Sequence, residues 1–289
     1  MTSERDGDVL MVKGIDVSKH QGSIDWQKVK KDGVQFAIIR AGYGKFASQE
    51  DPEFSDNIQN AYKAGIPVGV YWYSYAGSVA DAEKEADTCL RVIKPFKALI
   101  TLPVFFDQEY EPDIKAMTTR QRTDCCLAFI KKIVAAGYQS GLYASYDWFK
   151  NMVYRAELLD YPAWVAQYAS KCQYTDKNLY MWQYSSTGKV NGISGNVDQN
   201  EGYFELTAKN GWQKSGSKWY YYENGHPVKS AWRKITGSNG TYWYYLGKDG
   251  VMLTGLQKIN NKLYMLNPAA SNGVPEGACI ITDGSGAIV

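Results

Sequence analysis

Hydrophobic and polar positions along the first two-thirds of the chain follow two alternating patterns. Short apolar runs rich in β-branched and aromatic residues occur at VKGIDV (12–17), VQFAIIRA (34–41), IPVGVYWYSY (66–75), LPVFFD (102–107), YQSGLYA (138–144), PAWVAQY (162–168) and LYMWQYS (179–185). They read as strands, and being apolar on both faces they read as strands covered on both sides. Helical spacing fills several of the gaps. In DPEFSDNIQNAYKAG, Asp51 is placed as the N-cap with Pro52 in the first turn. Phe54, Ile58 and Tyr62 then make a four-residue stripe, and Gly65 ends the helix. SVADAEKEADTCLRVIKP opens on Ser78 as cap with Asp81 three residues later. TTRQRTDCCLAFIKKIVAAG puts Cys126, Ile130 and Val134 on one stripe and stops at Gly137.

Strand–helix–strand alternation predicts a parallel sheet. Seven or eight strands over 12–207 predict an α/β fold closed into a β/α barrel. A doubly wound open sheet is the rival, but no glycine-rich phosphate loop follows the first strand. Between 162–168 and 179–185 there is no room for a full helix, so the barrel is expected to be irregular there.

Near residue 208 the texture changes to Gly, Trp, Tyr, Lys and Asn, and the chain repeats itself. Residues 211–230 align with 231–254 and more weakly with 255–289, so that Trp212, Trp232 and Leu256 correspond, as do Trp219, Trp243 and Leu263. A period of roughly 20–25 residues with turn signals such as ENG and KDG reads as a small all-β module of stacked hairpins. So short a repeat cannot bury its own aromatic face, and neighbours must share it. The chain therefore divides into an N-terminal extension at 1–10, a barrel domain at 11–207 and a repeat module at 210–289.

Composition narrows the function. The net charge is +2 and no long run of like charge suggests a nucleic-acid arm. No segment approaches the roughly 18 apolar residues of a membrane span. The start, MTSERDGDVLMVKG, lacks the basic head and apolar stretch of a signal peptide. Export by another route, a removed signal, and Met11 as the natural start all stay open. The five cysteines (Cys89, Cys125, Cys126, Cys172 and Cys279) form no CxxC pair and are odd in number, so neither a disulfide framework nor a zinc site is expected. Cys89 and Cys126 are expected as small buried thiols. With only His20 and His226, Ser-His and Cys-His catalysis lose support.

The chemistry collects at strand ends. PVFFDQEY closes an apolar run with Asp107 and Glu109, which share one face at i, i+2 with Cα atoms roughly 6–7 Å apart. In a parallel barrel that end carries the active site. Two carboxylates in a partly apolar mouth do not both ionise easily, which provides an acid and a base at neutral pH, the requirement for breaking a glycosidic bond. The competing reading is that they cap a turn or pair with surface Lys and Arg. Asp16, ending the first run, and Asp198, in GNVDQN, extend the set to four acids. Tyr73, Tyr75, Tyr143, Trp182 and Gln183 lie at or near strand ends as candidate sugar-binding groups, with aromatic core as the alternative.

GIDVSKHQGSIDW, PVGVYWYSY, PVFFDQE and MWQYSSTGKVNGISGNVDQN, in that order, resemble the successive motifs of family 25 glycoside hydrolases, the Chalaropsis-type lysozymes. The resemblance implies an irregular, flattened β/α barrel and N-acetylmuramidase activity on the β-1,4 bond between N-acetylmuramic acid and N-acetylglucosamine. By position it implies Glu109 as general acid, and Asp107 stabilising positive charge or steering the 2-acetamido group. Asp16 and Asp198 would shape the floor and hold that group or a water. It also implies retention of configuration with acetamido participation. Gln108 departs from the small aliphatic residue many relatives carry, but points away from the acid pair.

The tail resembles choline-binding-type cell-wall-binding repeats, which implies aromatic cages from Trp212, Trp219, Trp232 and Trp243 with Tyr220, Tyr242 and Tyr244. Leu256 and Leu263 stand in the tryptophan slots of the third repeat, so choline or another wall ligand stays open, as does a purely structural aromatic core. The resulting expectation is an extracellular or wall-located peptidoglycan hydrolase with no metal or organic cofactor, no nucleic-acid partner and no membrane partner. Whether it is a phage endolysin or a bacterial autolysin stays open. Rivals are a hydrolase of another N-acetylated glycan, a non-catalytic wall-binding protein, and a stem-peptide amidase or peptidase.

Overall fold

The computed structural model describes residues 11–206, 211–223 and 226–280. The extension at 1–10 and the stretch 281–289 assigned to the repeats lie outside the described residues. The chain forms two compact units that divide after Leu206.

The first unit is a closed eight-stranded barrel in sequence order. Its strands are β1 (Val12–Val17), β2 (Phe36–Tyr43), β3 (Val68–Tyr73), β4 (Ile100–Asp107), β5 (Ser140–Ser145), β6 (Ala163–Ala166), β7 (Leu179–Gly188) and β8 (Val197–Gly202). Neighbours from β1 to β7 pair in parallel, whereas β8 runs antiparallel to both β7 and β1. Helices α1 (Trp26–Lys31), α2 (Phe54–Lys63), α3 (Val79–Ile93), α4 (Pro112–Ala116), α5 (Thr119–Ala135) and α6 (Tyr146–Asn151) fill the crossovers up to β6. From β6 to β7 and from β7 to β8 the chain crosses without an α-helix, which is the expected irregularity. β8 escaped sequence reading because VDQNEG offers one apolar residue in six.

Two-residue alternation decides which side chains enter the barrel. Phe36, Ile38, Phe105, Tyr143, Trp164 and Met181 form an inner cluster. Ala37, Ile39, Val104, Phe106, Leu142 and Val165 join the outer layer under the helices, where Phe106 stacks on Phe129 of α5 at 4.4 Å. Asp107 has the parity of Phe105, and Gln183 that of Met181, so both turn inward. Asp16 turns inward because its neighbours Ile15 and Val17 belong to the outer layer. The apolar runs thus wrap a barrel whose inner rows end in polar groups.

Two helix readings need correction. α2 starts at Phe54, and Asp51 lies ahead of it. The Asp51 carboxylate is buried, takes the Glu53 N–H at 3.0 Å and pairs with Arg40 Nε at 2.7 Å. On α5, Val134 is exposed, while Cys126, Phe129, Ile130 and Ile133 are buried. A strict four-residue step overshoots the 3.6-residue turn, and two steps rotate a side chain roughly 80° off the buried face. Ser78 caps α3 through the Asp81 N–H, and Cys89 and Cys126 are buried, as expected.

The β5–β6 contact is tight enough to test. A Cβ on Gly141 would sit 2.1 Å from the Pro162 carbonyl oxygen, the acceptor for the Leu142 N–H at 3.0 Å. Gly141→Ala is expected to cost about 1–3 kcal/mol, read as a lower Tm, because backbone must move to make room.

The described residues of the second unit form three hairpins: β9 (Gly211–Ser215) with β10 (Lys218–Glu223), β12 (Ala231–Gly237) with β13 (Gly240–Leu246), and β14 (Gly255–Ile259) with β15 (Lys262–Leu266). The short β11 (His226–Pro227) pairs with β10. The three share one register. Trp212 opposes Tyr221, Trp232 opposes Tyr245, and Leu256 opposes Met265. Lys214, Lys234 and Lys258 in turn oppose Trp219, Trp243 and Leu263. The sequence alignment of the repeats is therefore an equivalence of hairpin positions. Asn260 and Asn261, both at positive φ, close the third hairpin as a two-residue turn of the kind that matches strand twist.

Candidate active site

Four carboxyl groups converge at the C-terminal mouth of the barrel. Asp16 on β1 is in register with Asp198 on β8. Asp107 ends β4, between Tyr73 of β3 and Tyr143 of β5 in the ladder. Glu109 follows two residues later. Together with Tyr73, Tyr143 and Gln183 they line a cleft of about 280 Å³. A second hollow of about 300 Å³ shares Glu109, Tyr143 and Tyr168 with the cleft and extends to Tyr110 and Gln167, so Glu109 is the one carboxyl that lines both.

A hydrogen-bond network holds the floor. Trp164 Nε1 donates to Asn200 Oδ1 at 2.8 Å, and Asn200 Nδ2 donates to Asp16 Oδ2 at 2.7 Å. Gln183 Nε2 donates to the same oxygen at 3.0 Å, while the phenols of Tyr143 and Tyr168 donate to Gln183 Oε1 at 3.0 and 3.3 Å. The two tyrosines fix the orientation of the Gln183 amide, and the amide fixes Asp16.

Electrostatics favours protons on this floor. Burial, and then the charge of Asp198, push the Asp16 carboxyl up despite its amide donors. Burial followed by Glu109 and Asp16 push Asp107 well above the usual carboxylate range, while Arg40 opposes this. Asp107 Oδ1 is closed to solvent and has no hydrogen-bond partner. Glu109 rises through the surrounding walls of the cleft, then Glu111 and Asp198. Its side chain still meets solvent, so screening keeps that rise smaller than the shift at Asp107. Asp198, half-buried, is also raised, by burial. The site thus keeps protonated carboxyls beside ionisable ones, the arrangement that acid-assisted glycoside cleavage requires.

Seven of the nine predicted barrel residues meet in this cleft; Tyr75 and Trp182 do not line it. Tyr75 lies beyond the end of β3, is 46% exposed, and packs edge-on against Tyr43 and at a tilt against Tyr73. Trp182 has the opposite parity to Gln183 and is buried with Nε1 on the Gln167 carbonyl at 2.7 Å. Gln108 faces away from the acid pair, as expected, and accepts from Cys126 Sγ at 3.1 Å. Sequence reading missed Arg40, Asn200, Tyr168 and Glu111. Arg40 carried a signal, a lone charge inside the apolar run VQFAIIRA. Asn200 sits in a polar segment with no pattern to mark it.

In the repeat unit three of the four candidate wall-binding tryptophans fall into two clusters, and Trp243 joins neither among the described ring contacts. Trp212 packs against Trp219, Tyr221 and Tyr244, and Trp232 against Tyr245 and Tyr264. The first tryptophan of each of the first two repeats therefore meets a tyrosine of the following hairpin, Tyr244 at 4.9 Å and Tyr264 at 4.8 Å. Tyr264 was missed, and among the described ring contacts Tyr220 and Tyr242 join neither cluster. Tyr244 is buried, and Trp212, Trp219, Tyr221 and Tyr242 all pack against the buried cluster that contains it. Trp243 is 47% exposed, and Leu256 and Leu263 are exposed in the equivalent slots of the third hairpin.

The chain belongs to the glycosyl hydrolases family 25, whose family model matches residues 15–193. A cell wall binding repeat of the choline-binding type matches 210–225 and 230–252. Lysozyme M1 of Streptomyces globisporus is 31% identical over 206 residues, 67% of this chain and 68% of that protein. The autolytic lysozyme of Clostridium acetobutylicum is 28% identical over 66% of this chain and 55% of its own length. Among solved structures, the modular autolysin LytC from Streptococcus pneumoniae superposes with a TM-score of 0.61 at 30% identity. That match covers 68% of this chain and 47% of the autolysin, so this chain spans about half the autolysin's length. The same autolysin has been solved with a synthetic peptidoglycan ligand.

Proposed function

We propose that this chain is a lysozyme that cleaves peptidoglycan at the β-1,4 bond between N-acetylmuramic acid and N-acetylglucosamine. The observation that carries the reading is the convergence of Asp16, Asp107, Glu109 and Asp198 on one cleft, with Glu109 lining the neighbouring hollow as well. Glu109 gives its proton to the glycosidic oxygen as the C1–O bond breaks, and the leaving sugar departs as the alcohol. The carbonyl oxygen of the substrate's own 2-acetamido group closes on C1, with Asp107 steering that group. Water then adds at C1, giving its proton back to Glu109, and the acetamido group is restored. Asp16, held by Gln183 and Asn200, and Asp198 orient that group or the water. The names of the relatives and the peptidoglycan-bound autolysin support the substrate class. An activity of this kind acts at the cell wall, outside the cytoplasm. A substrate panel tests the reading: cleavage of purified peptidoglycan with no cleavage of chitin oligomers supports it, and the reverse assigns another N-acetylated glycan.

The repeats are proposed to hold the enzyme on the wall and raise its local concentration there. The module 210–289 carries eight basic against four acidic side chains, which suits an anionic wall. The Trp232–Tyr264 pair offers aromatic faces to a quaternary ammonium such as choline or to a wall sugar. Trp232→Ala is expected to weaken co-sedimentation with walls roughly tenfold, the scale of a lost cation–π or stacking contact. Hydrolysis of soluble fragments is expected to stay unchanged.

A further inference from the structure

We infer that Glu111 is a positioning residue for the reaction. It clamps the Tyr73 phenol so that the ring turns an acceptor oxygen to the cleft, and it places a fixed negative charge two residues from Glu109. The inference rests on the reading of Glu109 as the acid.

Tyr73 ends β3 in register with Asp107 and lines the cleft. Its hydroxyl donates to Glu111 Oε1 at 2.6 Å, a short bond to a carboxylate. A phenol has one proton to give, so what Tyr73 offers the cleft is lone pairs, suited to a hydroxyl or amide N–H of the glycan. Glu111 stands at the N-cap of α4 in extended backbone, with Pro112 next, yet its side chain makes no capping bond. Its carboxylate serves Tyr73 instead.

The charged environment of Glu109 makes that placement matter. Asp107 shares its segment, Asp16 faces it from β1 and Asp198 from β8. Tyr71, Tyr73, Tyr143 and Tyr168 contribute phenols, Arg40 on β2 is engaged by Asp51, and His20 follows β1. Glu111 is the nearest charge in sequence outside that floor. Beside the burial of Glu109, the charge of Glu111 and that of Asp198 act to hold the proton there.

The test is the pH profile of kcat/KM on soluble peptidoglycan fragments at constant ionic strength. The acid form of Glu109 disappears on the alkaline side. Glu111→Gln removes the charge but keeps an acceptor for Tyr73, so the alkaline limb is expected to move down by roughly half a pH unit, with KM within about twofold. Tyr73→Phe is expected to raise KM. Asp160→Asn, the same charge change on an exposed side chain, is expected to leave the limb in place. An unmoved limb in Glu111→Gln, or an equal shift in Asp160→Asn, overturns the inference. Wild-type rates in Glu109→Gln would instead overturn the reading beneath it.

Discussion

Glu109→Gln is expected to lower the rate of peptidoglycan cleavage by roughly 10²-fold or more, the scale for removing a general acid, and to leave the barrel's thermal transition in place. The two halves of this result have separate causes. Glu109 is the carboxyl that lines both hollows, and its side chain meets solvent. It belongs to neither hydrophobic cluster of the barrel, so the amide fits where the acid stood. What the amide lacks is a proton that can pass to the leaving oxygen. Circular dichroism and a melting curve check the fold, and release of reducing ends checks the rate.

Asp107→Asn is expected to do two opposite things, lowering the rate by roughly 10²-fold while raising stability at neutral and alkaline pH. Asp107 is 3% exposed, and one of its oxygens has no partner. Burial and the charges of Glu109 and Asp16 hold its folded pKa above its unfolded value. The folded state therefore binds more protons than the unfolded state between those two values, and stability falls as pH rises through the interval. Below about pH 4 the group is protonated in both states and the penalty is absent. Asparagine removes the charge at every pH. The gain in Tm, a few degrees, should thus grow as pH rises from about 4 toward neutral and alkaline values and vanish toward pH 4. A gain of the same size in acid and at neutral pH would contradict this origin. The rate falls because the carboxyl that steers the acetamido group toward C1 is gone. A residue that costs stability at its site is expected where chemistry rather than packing selected it.

Much of this site was legible before any coordinates. A strand ending in D-x-E within a βα pattern, with acids at two other strand ends, places four carboxylates at one mouth, and strand parity carries Tyr73, Tyr143 and Gln183 with them. Parity also explains the failure at Trp182, which is one residue out of step with Gln183, and strand length explains Tyr75, which lies past the last paired residue. β8 was hidden because its residues face a polar floor, and with it Asn200, whose importance comes from bonds to Trp164 and Asp16 distant in sequence. Glu111 was invisible for a similar reason, since its partner Tyr73 is 38 positions away. In the repeats the alignment predicted the hairpin register but not the partner of Trp232, because Tyr264 belongs to the next hairpin. Local patterns report elements and faces; contacts between elements require the fold.

The central claim is that Glu109 drives cleavage on the muramic-acid side of the bond. The most direct test digests purified peptidoglycan with wild type and Glu109→Gln, reduces the new ends with borohydride, and identifies the reduced sugar by mass spectrometry. Reduced muramic acid from wild type, and almost none from the variant, is the predicted result. Reduced glucosamine, no new reducing ends from wild type, or equal yields from both proteins would contradict it.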